Sequence, residues 1–284
     1  MTRLFGVIGY PIGHSLSPAM HAAALRALKL DALYTAIEVP PRFLSPILRA
    51  LILSGVEGLN VTIPLKESVV QLMDRVDETA QAVGAVNTIV IRDRRAIGCN
   101  TDGIGFRRAL SELGWRPGPG RTVLLGAGGA ARAVAWELAH AARTDLTIAN
   151  RHVDRAERLA QWLKRRVPRV RVQAVPLRRV ALDSVSLLVN ATSVGMRASD
   201  PLLIDPRALR RGLVVYDLVY HRTTELVQAA RRRGCVAASG LSMLLYQGAE
   251  SLRLWLRRRP PLAPMRAALE RALRHTTKGS PELL

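Results

Sequence analysis

The sequence predicts an α/β protein of two domains, each built on an open sheet, followed by a helical tail. Three observations carry that expectation. Short apolar runs alternate with longer amphipathic stretches along most of the chain, as repeated β-α units require. Residues 114–120 (GWRPGPG) form a dense glycine and proline breaker between two such series. With 284 residues, 49% of them hydrophobic, the chain can bury two medium cores.

Residues 3–9 (RLFGVIG) read as a short buried strand, closed by Tyr10-Pro11 and a polar loop. Ser17-Pro18 then opens a helix over 19–28, because proline is preorganised for the first helical turn. A strand is expected at 32–39, a helix at 41–54, a third strand at 58–63 and another helix at 65–76. Residues 86–91 and 96–99 flank a polar 92–95, which suggests a hairpin on the edge of the first sheet. Asp102 opens a helix over 104–113. After the breaker, strands are expected at 122–126, 146–149, 170–174, 187–190, 214–217 and 236–238, with a helix after the first of them to about residue 142. Short apolar runs like these suit strands covered on both faces, and so a parallel sheet. The tail is helical from Leu241 to Arg257, breaks at Pro260-Pro261, resumes over 264–275 and frays in its last nine residues. The domain limits follow as 1–103, 104–238 and 239–284.

Several function classes recede on composition. No long uncharged apolar run appears, and the N-terminus reaches glycine and proline too soon for the apolar core of a signal peptide, so a soluble cytoplasmic protein without a membrane role is expected. Cys99 and Cys235 are far apart, with no Cys/His cluster to hold zinc, and are expected to be small buried residues; no metal is expected. The formal charge of +20 raises the question of nucleic acid, but the arginines are scattered and aromatic residues make up only 4% of the chain, so no nucleic-acid partner is expected. In a chain so biased toward arginine, the four lysines (Lys29, Lys66, Lys164, Lys278) stand out.

Thr122 begins a strand that runs into Gly126-Ala127-Gly128-Gly129-Ala130 and then a helix. This is the Gly-x-Gly-x-x-Ala turn of a Rossmann-type, doubly wound domain: the first glycine makes the turn, the second lets backbone amides approach a pyrophosphate, and the small residue lets helix and strand pack. The helix N-terminus then presents free N–H groups to the phosphates. About twenty residues on, where a site for NAD carries an acid toward the ribose 2′-hydroxyl, the second strand ends Asn150-Arg151. A guanidinium there suits a 2′-phosphate, and Arg155 adds a second positive charge, so NADP(H) is the expected cofactor.

Four polar clusters lie at ends of the first-domain elements. In His14-Ser15-Leu16-Ser17-Pro18, two hydroxyls beside a helix N-terminus can receive a carboxylate, although Ser17 alone reads as well as an ordinary N-cap. In Asn60-Val61-Thr62-Ile63-Pro64-Leu65-Lys66, the lysine can exchange a proton where a guanidinium cannot. Gly84-Ala85-Val86-Asn87-Thr88 and Asn100-Thr101-Asp102-Gly103 complete the set. Asp102 can hold Lys66 and a substrate hydroxyl, or merely cap the helix that follows.

Taken together, these residues resemble the shikimate dehydrogenase family. The resemblance runs through residues 9–247 in order, and includes Asn190-Ala-Thr192-Ser193, Tyr216-Asp-Leu-Val-Tyr220 and Gly240-Leu-Ser-Met243-Leu-Leu-Tyr-Gln247. It implies that Ser15 and Ser17 bind the substrate carboxylate, that Thr62, Asn87, Asp102 and Gln247 bind ring hydroxyls with Tyr220 nearby, and that Lys66 and Asp102 are the catalytic pair. It further implies that Asn150, Arg151 and Arg155 hold the 2′-phosphate and that Leu218, Gly240 and Met243 line the nicotinamide side. The tail helices would return to the N-terminal substrate domain and bring Gln247 to the cleft. The implied reaction is the NADPH-dependent reduction of 3-dehydroshikimate to shikimate in aromatic amino-acid biosynthesis, with a homodimer left open. Lys66 would stabilise and protonate the developing oxyanion, contributing binding and charge stabilisation as much as proton transfer. Two departures from the family pattern stand out, Ala22 for asparagine and His152 for threonine after Asn-Arg; a neutral imidazole adds no charge to the phosphate pocket, whereas a protonated one would. The alternatives are a quinate/shikimate dehydrogenase with relaxed NAD/NADP use and a non-catalytic NADP-binding regulator on the same scaffold.

Overall fold

The computed structural model describes residues 2–118, 120–140 and 144–278. The chain divides into two compact units: residues up to Gly105 together with those from Leu244 onward, and Phe106–Met243. The first unit begins with strand β1 (Arg3–Gly9), helix α1 (Ser17–Ala27), β2 (Ala32–Glu38), α2 (Leu44–Leu53) and β3 (Val56–Val61). It continues with the two-residue strand β4 (Arg75–Val76), helix α3 (Glu78–Val83), β5 (Thr88–Arg92) and β6 (Arg95–Cys99). The sheet order is β2-β1-β3-β5-β6-β4, with β5 antiparallel to both β3 and β6 and the other pairs parallel. The β5–β6 hairpin turns on Asp93 and Arg94, whose φ values of 48° and 60° match the right-handed twist of the strands.

The expected helix over 65–76 does not form. Turns and a short 3-10 segment (Val70–Leu72) take its place, and Asp74 explains the stop: its carboxylate accepts the Ala96 N–H at 2.6 Å and its own N–H donates to the Ala96 carbonyl at 2.9 Å. The chain is thereby captured as an edge strand beside β6, and tertiary pairing overrides the local pattern. Helix α3, absent from the sequence reading, is capped by Asp77, whose carboxylate accepts the Ala80 N–H, and ends on Gly84 with φ 69°.

The second unit is entered along α4 (Asp102–Glu112) and contains β7 (Gly120–Leu125), α5 (Gly129–His140), β8 (Thr144–Asn150), α6 (Val153–Arg166), β9 (Arg171–Pro176), β10 (Val185–Asn190), β11 (Val214–Asp217), α7 (Glu225–Arg232) and β12 (Val236–Ser239). All six strands are parallel in the order β12-β11-β10-β7-β8-β9, so the chain winds outward from β7 in both directions and reverses between β7 and β10. The last two residues expected in the helix after β7, 141 and 142, lie outside the described residues.

Helices α8 (Leu241–Leu256) and α9 (Leu262–Lys278) follow, and α9 packs on α1 of the first unit. The backbone of α9 stays helical through Lys278, three residues beyond the expected fraying point, and residues 279–284 lie outside the described residues. Trp255 of α8 is buried on the first sheet, stacks on Phe5 and donates from Nε1 to the Ile89 carbonyl at 2.9 Å. Both cysteines are buried and unpaired. Among the described residues no helix is long and apolar enough to cross a membrane.

Candidate active site

In the first unit, the chain leaves the sheet beside one edge at the ends of β1, β3 and β6, and β5 begins there. This edge carries Ser15 and Ser17 after β1, Thr62 and Lys66 after β3, Asn87 before β5, and Asp102 after β6. Lys66 Nζ donates to Asp102 Oδ2 at 2.6 Å, and the two side chains retain only 17% and 5% of their exposure. The other carboxylate oxygen, Oδ1, accepts from Asn87 Nδ2 at 2.8 Å. Asp102 is the first residue of α4, and both of its carboxylate oxygens are engaged by these two side chains. Its N–H donates to Asn100 Oδ1 at 3.0 Å.

Asn87 is itself held on both sides of its amide. Its Oδ1 accepts the Thr101 N–H at 2.8 Å, and its Nδ2 also faces Thr101 Oγ1 at 3.0 Å and Gln247 Oε1 at 3.3 Å. Two N–H groups are thus shared among three acceptors, and the longest contact is the one to Gln247, which a competing hydroxyl would most readily displace. Gln247 is brought in by α8, and Gly105 permits the approach: a Cβ there would lie 2.7 Å from the Gln247 Cβ and 2.9 Å from its backbone nitrogen. An ammonium, a carboxylate and two amides thus form one run of contacts, from Lys66 through Asp102 and Asn87 to Gln247. They offer donors to a developing oxyanion and both donors and acceptors to hydroxyls.

Ser17 is the first residue of α1 and makes no cap; the N-cap position is Leu16, and no side chain caps the helix. Its N–H donates to Ser15 Oγ at 3.3 Å, so the two serines share one turn. Thr62 is half-buried at the end of β3. Neither serine hydroxyl nor the Thr62 hydroxyl joins the Lys66–Asp102–Asn87 network among the described residues. Of the other lysines, Lys29 and Lys164 are exposed, and the side chain of Lys278 lies outside the described residues.

In the second unit, Gly126 adopts φ 109°, and its N–H donates to the Ala149 carbonyl at 2.8 Å, which fixes the turn between β7 and α5. A Cβ at Gly128 would meet nothing within 4 Å, so the space over this turn is open to a pyrophosphate, with Gly129 and Ala130 beginning α5 below it. After β8, Asn150 Nδ2 donates to the His152 carbonyl at 2.9 Å, and the Arg155 N–H donates to the same oxygen at 3.1 Å. Arg151 and Arg155 are exposed, and neither side chain has an ion-pair partner among the described residues. The residues present fit a 2′-phosphorylated dinucleotide.

Leu218 and Gly240 meet at the ends of β11 and β12. The Leu218 N–H donates to the Asn190 carbonyl at 2.9 Å, and the Gly240 N–H donates to the Val219 carbonyl at 3.1 Å. The Met243 N–H donates to Tyr216 Oη at 3.1 Å. Burial pushes the Tyr220 phenol pKa up.

Sequence reasoning passed over Asp217, which holds this region together. Its buried carboxylate accepts from Asn190 Nδ2 (3.0 Å), the Val219 N–H (3.1 Å) and Thr224 Oγ1 (2.6 Å). Burial pushes the Asp217 pKa up, opposed by those donors. Its signal was an acid at the end of an apolar strand, which appeared in the sequence only as part of a longer pattern.

The sequence pattern described as the shikimate dehydrogenase substrate binding domain matches residues 7–89. That of shikimate / quinate 5-dehydrogenase matches 118–198, and that of the shikimate 5'-dehydrogenase C-terminal domain matches 240–270. A shikimate dehydrogenase (NADP(+)) of Methanopyrus kandleri is 44% identical over 286 residues, covering 96% of this chain and 97% of that protein. A crystal structure of a shikimate dehydrogenase in complex with NADP+ superposes with a TM-score of 0.90 at 38% identity, over 96% of both chains. That of the Thermus thermophilus shikimate 5-dehydrogenase in complex with NADP(H) and shikimate gives 0.86 at 38% identity, over 95% of this chain and 100% of that one.

Proposed function

This chain belongs to the shikimate dehydrogenase family, and we propose on that premise how its own residues serve the NADP-dependent interconversion of 3-dehydroshikimate and shikimate. The observation that carries the assignment is the 2.6 Å contact between Lys66 and Asp102, backed by Asn87 on the second carboxylate oxygen. Bound NADPH supplies a hydride to the ketone carbon of the substrate. As charge develops on the ketone oxygen, the Lys66 ammonium stabilises it and passes a proton from Nζ to that oxygen, and solvent then restores the ammonium. Asp102 keeps Lys66 aimed and accepts a hydrogen bond from the neighbouring hydroxyl. Asn87, Gln247 and Thr62 hold the remaining ring hydroxyls, and Tyr220 is assigned to the substrate as well. The Ser15 and Ser17 hydroxyls, at the positive end of α1, receive the carboxylate.

For the cofactor, Gly126, Ala127, Gly128, Gly129 and Ala130 would hold the pyrophosphate, and Asn150, Arg151 and Arg155 the 2′-phosphate. Leu218, Gly240 and Met243 would line the nicotinamide. The enzyme belongs to the synthesis of aromatic amino acids, and a cytoplasmic location is proposed with it. Initial rates with shikimate and quinate, each with NADP+ and NAD+, test the reading by nicotinamide absorbance. Shikimate with NADP+ is expected to give the highest kcat/KM. Equal turnover of quinate with NAD+ would overturn the substrate and cofactor assignment, and full activity in Lys66→Ala would overturn the mechanism.

A further inference from the structure

Helix α8 brings a second polar side chain to the first sheet. Ser251 lies one turn beyond Gln247, on the same face of the helix, and is completely buried. A hydroxyl has one proton and two lone pairs, and here all three are engaged. Ser251 Oγ donates to the Gln247 carbonyl at 3.0 Å and accepts from Asn60 Nδ2 at 2.9 Å. The Thr88 hydroxyl lies 2.7 Å away and, with the serine proton committed to the carbonyl, is the donor of that pair.

A serine inside a helix commonly bonds back to the carbonyl four residues earlier, and that contact alone would mean little. The other partners give it meaning. Asn60 belongs to β3, whose following loop carries Lys66, and is fixed in turn by Tyr34 Oη at 2.8 Å. Thr88 follows Asn87 directly, and its Oγ1 also lies 3.0 Å from Asn87 Oδ1, which competes with Ser251 for the same threonine proton. Thr101, whose hydroxyl is 3.3 Å from Ser251, precedes Asp102. One buried hydroxyl therefore joins the helix turn bearing Gln247 to the three segments that bear Lys66, Asn87 and Asp102.

We propose that Ser251 is a positioning residue that sets the spacing between Gln247 and the Asn87–Asp102 edge, and so tunes the site to a ring carboxylate whose hydroxyls span those two elements. The proposal rests on the reading of Gln247 and Asn87 as hydroxyl ligands.

Ser251→Ala, Gln247→Ala and the double variant, assayed with shikimate and NADP+, test it. Ser251→Ala is expected to raise the KM for shikimate about fivefold to tenfold, equivalent to about 1–1.4 kcal/mol, with kcat and the KM for NADP+ held within about twofold. In the Gln247→Ala background it should add less than about a twofold change, because the spacing then has nothing left to set. Thr88→Val conserves shape, breaks the same joint from the strand side and should reproduce the effect should Ser251→Ala fail to fold. An unchanged shikimate KM in Ser251→Ala beside a raised one in Gln247→Ala would overturn the Ser251 proposal alone. Fully additive losses, or shikimate and NADP+ constants rising together, would also overturn it, as marks of general damage. An unchanged KM in Gln247→Ala would overturn the ligand assignment and the proposal together.

Discussion

His21 makes the first unit sensitive to acid, and the size of the effect can be worked from its surroundings. Its ring is fully buried in an aromatic cluster, stacked on Tyr34 with centroids 4.3 Å apart and tilted against Trp255 at 5.4 Å, and neither ring nitrogen has a hydrogen-bond partner among the described residues. Burial pushes its pKa down from 6.5 to about 3, against a weaker opposing pull from Asn60. The unfolded chain therefore takes up a proton below pH 6.5 that the folded chain refuses until about pH 3. The neutral ring's full stability is present above 6.5 and is lost as the pH falls through that window. At about 1.4 kcal/mol per unit, the loss is about 2 kcal/mol at pH 5 and approaches about 5 kcal/mol near pH 3. Carboxylates also titrate in this range, so the readout is a difference between proteins. His21→Phe keeps an aromatic ring against Tyr34 and removes the titration. Urea unfolding at pH 8 and pH 5 should show the parent losing about 2 kcal/mol more than the variant over that interval. Equal losses would refute the reasoning, whatever the absolute stability of the variant.

Three other perturbations bear on the site. Lys66→Ala should lower kcat about 100- to 10,000-fold, the usual worth of a positioned proton donor, with a smaller rise in the KM for shikimate, as steady-state rates will show. Arg151→Ala removes a charge-assisted contact and should raise the KM for NADP+ about 10- to 100-fold while leaving that for NAD+ within about twofold; equal shifts for both cofactors would remove Arg151 from the 2′-phosphate site. Gly105→Ala places a Cβ 2.7 Å from the Gln247 Cβ. It should cost about 1–3 kcal/mol of stability in thermal or urea unfolding and raise the shikimate KM, since overpacking displaces α8.

The second unit was legible in the sequence because its pattern is regular: six short apolar runs and one glycine turn suffice to suggest a parallel sheet, even though β7 and β10 pair across more than sixty residues. The first unit was less so. Residues 65–76 carry a passable helical pattern, and only Ala96, more than twenty residues away, captures Asp74 and the strand after it. The candidate site divides in the same way. Lys66, Asn87 and Asp102 were visible as polar residues at the ends of apolar runs, where an open sheet leaves side chains free for a ligand. Ser251 was not visible, because along its own helix it reads as one more small residue among apolar ones. Its partners Asn60 and Thr88 lie 191 and 163 residues away. A buried hydroxyl in such a position is satisfied only when helix and strands are already packed. The residues proposed to touch substrate can therefore be read from their own neighbourhoods, while the one proposed to fix the spacing between them is defined only by the assembled fold, and mutagenesis guided by sequence pattern alone would pass over it.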